Sequence, residues 1–161
     1  SQEAIMDFKE HFIHLFRYID WATKESVKSI KKLDEPSDGL LTIIAHVVAT
    51  EQLWYDRVTQ AKIPISPWEK YSLDECNTQS NIITSKWIRL LEERGEEGLS
   101  EIITYLNTKG DKFKNSLMDI VFHTINHSSY HRAQVALLVR DAGGEPALTD
   151  YIVYARSVLG N

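Results

Sequence analysis

Residues 123–134 read His-Thr-Ile-Asn-His-Ser-Ser-Tyr-His-Arg-Ala-Gln, with a histidine at every fourth position from 123 to 131. Residues four apart on an α-helix differ by about 400° of rotation, so they share one face. His127 and His131 can therefore present two nitrogens to one ion, and neutral imidazole is the commonest metal ligand. The stretch predicts a helix with a metal-binding face, although histidines at this spacing also occur as ordinary packed residues.

Two seams compete for the inward face of this helix, which we predict over residues 115–142. The first contains the histidine pair and consists of Leu117, Ile120, Thr124, His127, His131, Gln134 and Leu138. The second is more apolar, although it places an arginine on the inward face. It consists of Val121, Ile125, Ser128, Arg132, Val135 and Val139. The seams are adjacent, so a buried helix can use both. Because His123 lies beside the first seam, we favour His127/His131 over His123/His127 as ligands.

Three further long helices precede this one. Apolar stripes with helical spacing predict the first over residues 3–32 and the second over residues 40–61. Ser72 and Glu75 form a capping-box pattern at the start of the third, which runs to about Arg94. Strand-prone residues around a turn predict a small β-hairpin over 101–113, and residues 149–158 predict a short terminal helix. The sequence therefore predicts an all-α fold in a single domain, residues 1–161.

The composition argues against nucleic-acid-binding, membrane and disulfide-stabilised proteins. Lys and Arg total 18 against 23 Asp and Glu, a net charge of −5, so no basic surface indicates nucleic acid or an anionic membrane. The longest strongly apolar run, residues 40–48, is far shorter than the roughly 20 residues of a membrane helix. The single cysteine, Cys76, cannot form an internal disulfide and is consistent with a cytoplasmic location.

His46 is the natural third ligand for a site built on His127 and His131. It lies in the most apolar stretch of the second helix, where an imidazole without a partner would cost about 1–3 kcal/mol. Helical bundles build metal sites from facing helices, and three protein ligands leave a position open for substrate. Glu51, five residues after His46, is about 140° round the helix and is poorly placed to act as a base.

The motifs resemble the DinB/YfiT-like family. The family commonly reads His-x-x-x-His-x-x-x-His-Arg-Gly-Gln, which residues 123–134 match except for Ala133 in place of glycine. An apolar stretch with Arg140 and Gly143 follows, and upstream a single histidine stands at position 46. The match spans most of the chain.

The resemblance implies an up-down-down-up four-helix bundle with His46, His127 and His131 as ligands of nickel, zinc or iron. It implies a homodimer and an enzyme that transfers a low-molecular-weight thiol, as bacillithiol S-transferases do, to a small-molecule electrophile. Alternatives are a metal-dependent hydrolase and a non-enzymatic metal-binding stress-response protein. Residues that can contact substrate or support the ligands are His123, Trp54, Tyr130 and Gln134.

Three further residues have candidate roles of their own. Cys76 would lie in the first turn of the third helix, where the helix dipole lowers a thiol pKa, although an ordinary small packed residue is the simpler interpretation. Arg132 is expected to satisfy a carboxylate or helix carbonyls within the fold. Trp68 is expected in the core or at an interface.

Overall fold

A computed structural model describes residues 7–160. The helices are α1 (Phe8–Lys31), α2 (Asp38–Val58), α3 (Leu73–Gly98), α4 (Leu117–Asp141) and α5 (Tyr151–Val158). Two strands, β1 (Ile102–Leu106) and β2 (Lys112–Ser116), lie between α3 and α4. The predicted all-α class and the hairpin are confirmed. Residues 3–6 of the predicted first helix lie outside the described residues.

The four long helices pack as two antiparallel pairs, α1 with α3 and α2 with α4. The Ser80 hydroxyl donates to Asp20 (2.8 Å), and Lys31 near the end of α1 pairs with Asp74 near the start of α3. On the other side, α2 runs parallel to α3 and α1 runs parallel to α4. This is the up-down-down-up order that the family resemblance implies.

The parallel course of α2 and α3 explains the long connection between them. The chain must return along the whole of α2, which is 21 residues or about 30 Å long. Residues 59–72 make this return outside regular secondary structure except for turns, and they pass over His46 on the way. The topology thus places a loop over the face of α2 that carries the histidine.

The helix ends follow local side-chain chemistry. Ser72 accepts a hydrogen bond from the Glu75 amide (3.1 Å), and the Glu75 carboxylate accepts one from the Ser72 amide (2.7 Å). The predicted capping box is therefore present. The regular part of α3 ends at Gly95, whose φ of 69° needs a glycine and breaks the helix where the sequence predicted its end.

The hairpin joins α3 to α4 at one end of the bundle. Its antiparallel register pairs Ile102 with Ser116 and Leu106 with Lys112, around the turn at residues 107–111. The second strand extends three residues beyond the predicted boundary at 113, and its last residue, Ser116, is the N-cap of α4. The hairpin therefore fixes where α4 begins.

The core centres on large side chains from all four long helices. Trp87 of α3 is fully buried, its ring stacks on Phe16 at 5.0 Å, and its Nε1 donates to the Glu51 carbonyl at 3.0 Å. A second apolar cluster around Ile44 and Cys76 fills the other end of the bundle. No helix between residues 7 and 160 combines the length and apolarity of a bilayer crossing.

The structure distinguishes the two seams that the sequence offered for the inward face of α4. The seam containing Arg132 is buried along its whole length, whereas the histidine seam is buried only as far as Thr124. His127 and His131 are half-buried and Gln134 is exposed. Arg132 is accommodated because hydroxyl groups of Ser128, Ser129 and Tyr18 accept its hydrogen bonds. The histidines consequently line the groove between α2 and α4 instead of the bundle axis.

Candidate metal centre

Three histidines from the two facing helices converge on one point. One ring nitrogen each from His46, His127 and His131 lies within 4.8 Å of the other two. The Nε2 atoms of His127 and His131 are 3.1 Å apart, and the His46 ring centroid is 4.6 Å from that of His131. The antiparallel packing of α2 and α4 produces this approach, because it brings one turn of each helix face to face.

Each ring is oriented by a hydrogen bond at its other nitrogen. Nδ1 of His46 donates to the Pro67 carbonyl (2.7 Å), and Nδ1 of His131 donates to Oε1 of Gln134 (2.7 Å). Nδ1 of His127 faces Oγ1 of Thr50 at 3.4 Å. That hydroxyl already donates to the His46 carbonyl, so it serves as acceptor here. With Nδ1 engaged in all three rings, Nε2 is the free nitrogen of each, as metal-binding histidines require.

The electrostatics of the cluster favour neutral imidazole. Burial and, to a smaller extent, the neighbouring His131, His46 and His123 together lower the pKa of His127 to about 4. Burial also lowers the pKa of His46, while the Pro67 carbonyl opposes this effect. Neutral rings at physiological pH have their lone pairs available, which is the protonation state that binds a metal ion.

A tryptophan from the crossover loop shields the cluster, and the sequence did not reveal it. The Trp68 ring stacks on His46, with centroids 4.0 Å apart and planes 16° apart, although the residue itself is 55% exposed. Trp68 was expected in the core or at an interface. Trp68 contacts His46 because α2 and α3 are parallel. The long connection between these helices returns along α2 and passes over His46.

The other predicted site residues lie around the cluster. The Tyr130 ring, 66% exposed, meets His131 edge-on at 5.0 Å. His123 is exposed, and its ring lies 5.4 Å from His127 and 5.0 Å from Trp54. His11 and His14, in contrast, lie on α1, where His14 contacts tyrosines of α5.

Glu51 belongs to the core. Its carboxyl is 1% exposed and accepts a hydrogen bond from the Ser128 hydroxyl at 3.2 Å. Burial raises its pKa to about 8, an effect that the charge of Arg132 and the bond from Ser128 only partly offset. Glu51 is therefore protonated at neutral pH, and it is not one of the groups that converge with the histidines. This agrees with the prediction that Glu51, about 140° round the helix from His46, is poorly placed to act as a base.

Cys76 is fully buried, which supports its interpretation as an ordinary packed residue. Burial raises the pKa of its thiol to about 12, and the charge of Glu75 acts in the same direction. We expect the thiol of the native protein to react with a disulfide reagent at least about 100-fold more slowly than that of the urea-unfolded chain. Comparable rates in the two states, followed by absorbance, would contradict this placement.

Pockets flank the cluster on both sides. One of about 660 Å³ lies beside Trp68 and Ala45 and is otherwise lined by the start of α2 and residues 69–71. Another of about 420 Å³ lies beside His123 and Trp54, next to the hairpin. A further cleft of about 700 Å³ lies between α1, α4 and the C-terminal segment, and none of the three converging histidines lines it. The two flanking pockets are not lined by the converging histidines either, but each contains a residue that contacts one of them: Trp68 stacks on His46, and the His123 ring lies 5.4 Å from that of His127.

Comparisons with known proteins indicate the family and agree with the fold. A sequence model described as the DinB family matches residues 6–158. Protein DinB of Bacillus subtilis (strain 168) is 22% identical over 158 residues, which cover 87% of this chain and 91% of that protein. Among solved structures, a DinB-like protein from Bacillus cereus ATCC 10987 superposes with a TM-score of 0.61 at 17% identity, covering 86% of this chain and 95% of that one. The DinB-like protein YjoA from Bacillus subtilis gives 0.60 at 18% identity, covering 86% and 96%.

Proposed function

The chain belongs to the DinB family, whose model spans residues 6–158, and from this premise we propose that it is a divalent-metal-dependent enzyme. In the proposed reaction, a low-molecular-weight thiol is transferred to an electrophilic small molecule. The observation that carries the proposal is the convergence of three histidines, each oriented by a separate polar contact at its Nδ1 atom.

The donor set fits a divalent transition ion. His46, His127 and His131 would hold nickel, zinc or iron through nitrogen, which does not itself select among these metals. Among residues 7–160 no fourth histidine, cysteine or carboxylate joins the cluster, which is the pattern of a site that keeps a position open for substrate. When bound, the ion would lower the pKa of a thiol and so favour the nucleophilic thiolate.

Two pockets beside one cluster favour a reaction of two organic substrates. The pocket next to Trp68 adjoins α2 before His46 and the pocket next to His123 adjoins α2 at Trp54, so the histidine cluster lies between them along the helix. Transfer of a thiol needs both a thiol and an electrophile to be held in reach of each other, whereas hydrolysis needs one organic substrate and water. Binding of one substrate in each pocket would supply the proximity and orientation that accelerate such a transfer.

Hydrolysis, the alternative, lacks a carboxylate base among the described residues that converge on the site, so that His123 is the nearest candidate base. Activation of water at a metal is assisted by a nearby carboxylate or histidine that accepts a proton. Glu51 is protonated in the core, and the converging groups are histidines only. A non-enzymatic metal carrier is less well supported, because a storage or structural site would be expected to fill all positions with protein ligands.

The test is a conjugation assay with 2-mercaptoethanol and 1-chloro-2,4-dinitrobenzene. The sulfur would form a bond to the ring carbon, chloride would leave, and the thiol proton would pass to the buffer. We expect the nickel- or zinc-loaded protein to accelerate the reaction over the chelator-treated protein. Equal rates for loaded protein, chelator-treated protein and buffer, across several thiols, would contradict the proposal.

Gln134 provides a graded test of the metal site. Replacement of Gln134 by leucine removes the acceptor that orients His131. Loss of such a supporting group typically weakens metal binding about 10–100-fold, and we expect about tenfold here because Gln134 is exposed. Titration calorimetry against a competing chelator measures the change. Gln134→Glu keeps an acceptor and should bind nearly as the wild type does, and Gln79→Leu on α3 is the matched control. An unaltered affinity in Gln134→Leu would show that the bond does not support the site.

A further inference from the structure

Arg57 lies near the end of α2, beside the pocket of about 420 Å³. Its guanidinium carbon is 4.4 Å from the centre of the Trp54 ring and 5.6 Å from that of Tyr105. Both aromatic rings line the pocket, together with Asn115, Asp119, Ile120 and His123. The guanidinium is therefore held against the pocket wall by cation–π contacts.

The guanidinium of Arg57 has no acceptor within residues 7–160. None of the four ion pairs involves it, and only its backbone takes part in hydrogen bonds. Burial lowers its pKa, and only Tyr105 opposes that shift. The five N–H donors of this part-buried guanidinium have no protein acceptor among residues 7–160 and can bind an anion that enters from solvent. Arginine at such a position is suited to bidentate binding of a carboxylate.

One face of α2 connects Arg57 to the three-histidine cluster. His46, Thr50, Trp54 and Arg57 follow one face of α2 at spacings of four, four and three residues. Thr50 contacts His127, and Trp54 contacts His123 one turn further along. Seven residues of helix separate Thr50 from Arg57, a rise of about 10 Å. A ligand with one end at the histidines and the other at Arg57 must therefore be extended.

We propose that this groove binds an elongated organic anion, with its carboxylate on Arg57, its chain across Trp54 and its other end at the histidine cluster. The inference deepens the proposed function, on which it rests for the identity of the reacting end, and it defines the charge and shape of one substrate. Asp119 lies at the exposed rim of the same pocket and is not paired with Arg57. Its negative charge opposes the anion and limits the affinity.

Titration calorimetry on the nickel-loaded protein tests the inference with three probes: 8-mercaptooctanoate, 8-mercapto-1-octanol and octanoate. We expect the wild type to bind the mercapto acid about tenfold more tightly than the mercapto alcohol, as one charge-assisted pair predicts. Arg57→Gln should abolish this preference and Arg57→Lys should retain part of it. Asp119→Asn should increase the preference about twofold, since a like charge is removed.

The matched control is Arg89→Gln, which removes an exposed arginine from α3 and should preserve the preference. The inference is overturned if the wild type binds acid and alcohol equally, or if Arg57→Gln still prefers the acid. Thiols that bind without regard to the carboxylate would leave the proposed function standing and remove this inference. Arg57-dependent binding of octanoate, with no gain from either thiol, would keep the anion site and remove the thiol chemistry. Failure of all three probes would overturn both.

Discussion

The double substitution His127→Ala/His131→Ala is expected to abolish binding of a divalent ion. The loss should exceed about 100-fold in affinity, because even loss of an outer supporting group costs about 10–100-fold and here two of three converging nitrogens disappear. Conjugation of thiol to electrophile should fall to the rate in buffer. Chelator competition measures the affinity, and absorbance of the conjugate measures the rate.

Folding should survive this double substitution. His127 and His131 are half-buried on the groove side of α4, and the fully buried residues of that helix are left intact. His11→Ala/His14→Ala on α1 removes two histidines away from the groove and is the matched control. Circular dichroism of the metal-free proteins should show similar thermal transitions. Retention of wild-type metal affinity by the His127/His131 variant would place the metal elsewhere.

Glu51→Gln is expected to remove a pH-dependent loss of stability. The carboxyl titrates near 4.5 in the unfolded chain and, because of burial, near 8 in the folded protein. Between these values the unfolded state has released its proton and the folded state has not, so the free energy of unfolding falls as pH rises. The stabilising contribution is complete below pH 4.5 and is lost by about pH 8. This pKa shift corresponds to a change of at most about 5 kcal/mol in the free energy of unfolding. Because local relaxation reduces the cost of the buried charge, we expect a change of about 2–4 kcal/mol.

Urea unfolding at pH 5 and pH 8.5 measures this effect. Glutamine keeps an oxygen that accepts the Ser128 hydroxyl bond, so the variant should match the wild type at pH 5 and exceed it at pH 8.5. Glu93→Gln, at an exposed position of α3, should reproduce the wild-type pH dependence. Parallel stability curves for Glu51→Gln and wild type would show that the buried carboxyl does not titrate as described.

Local patterns predicted most of the fold. The capping box at Ser72, the break near Arg94 and the turn at residues 107–111 are determined by residues within a few positions of one another. The three histidines also follow from the sequence, since helical spacing places two of them together, and the position of His46 in the most apolar stretch of α2, together with the resemblance, indicates the third. The structure then brings all three to one point.

The features that the sequence did not predict depend on contacts between residues far apart in the chain. Trp68 reaches His46 because the chain must return along α2, and no local pattern encodes that contact. The inward placement of Arg132 depends on hydroxyls of Ser128, Ser129 and Tyr18, the last of which is 114 residues away in the chain. Burial of an arginine is unfavourable when its side chain has no hydrogen-bond partners, and these tertiary partners offset that free-energy cost.

X-ray absorption spectroscopy with elemental analysis tests the central claim most directly. The protein would be saturated with zinc, freed of excess metal and measured intact. We expect about one zinc per chain with imidazole nitrogens at about 2.0–2.1 Å, the distance of histidine-bound zinc. Addition of 2-mercaptoethanol should introduce one sulfur neighbour at about 2.3 Å. A protein that retains no zinc, or retains it without histidine ligands, would contradict the assignment of His46, His127 and His131 as a metal centre.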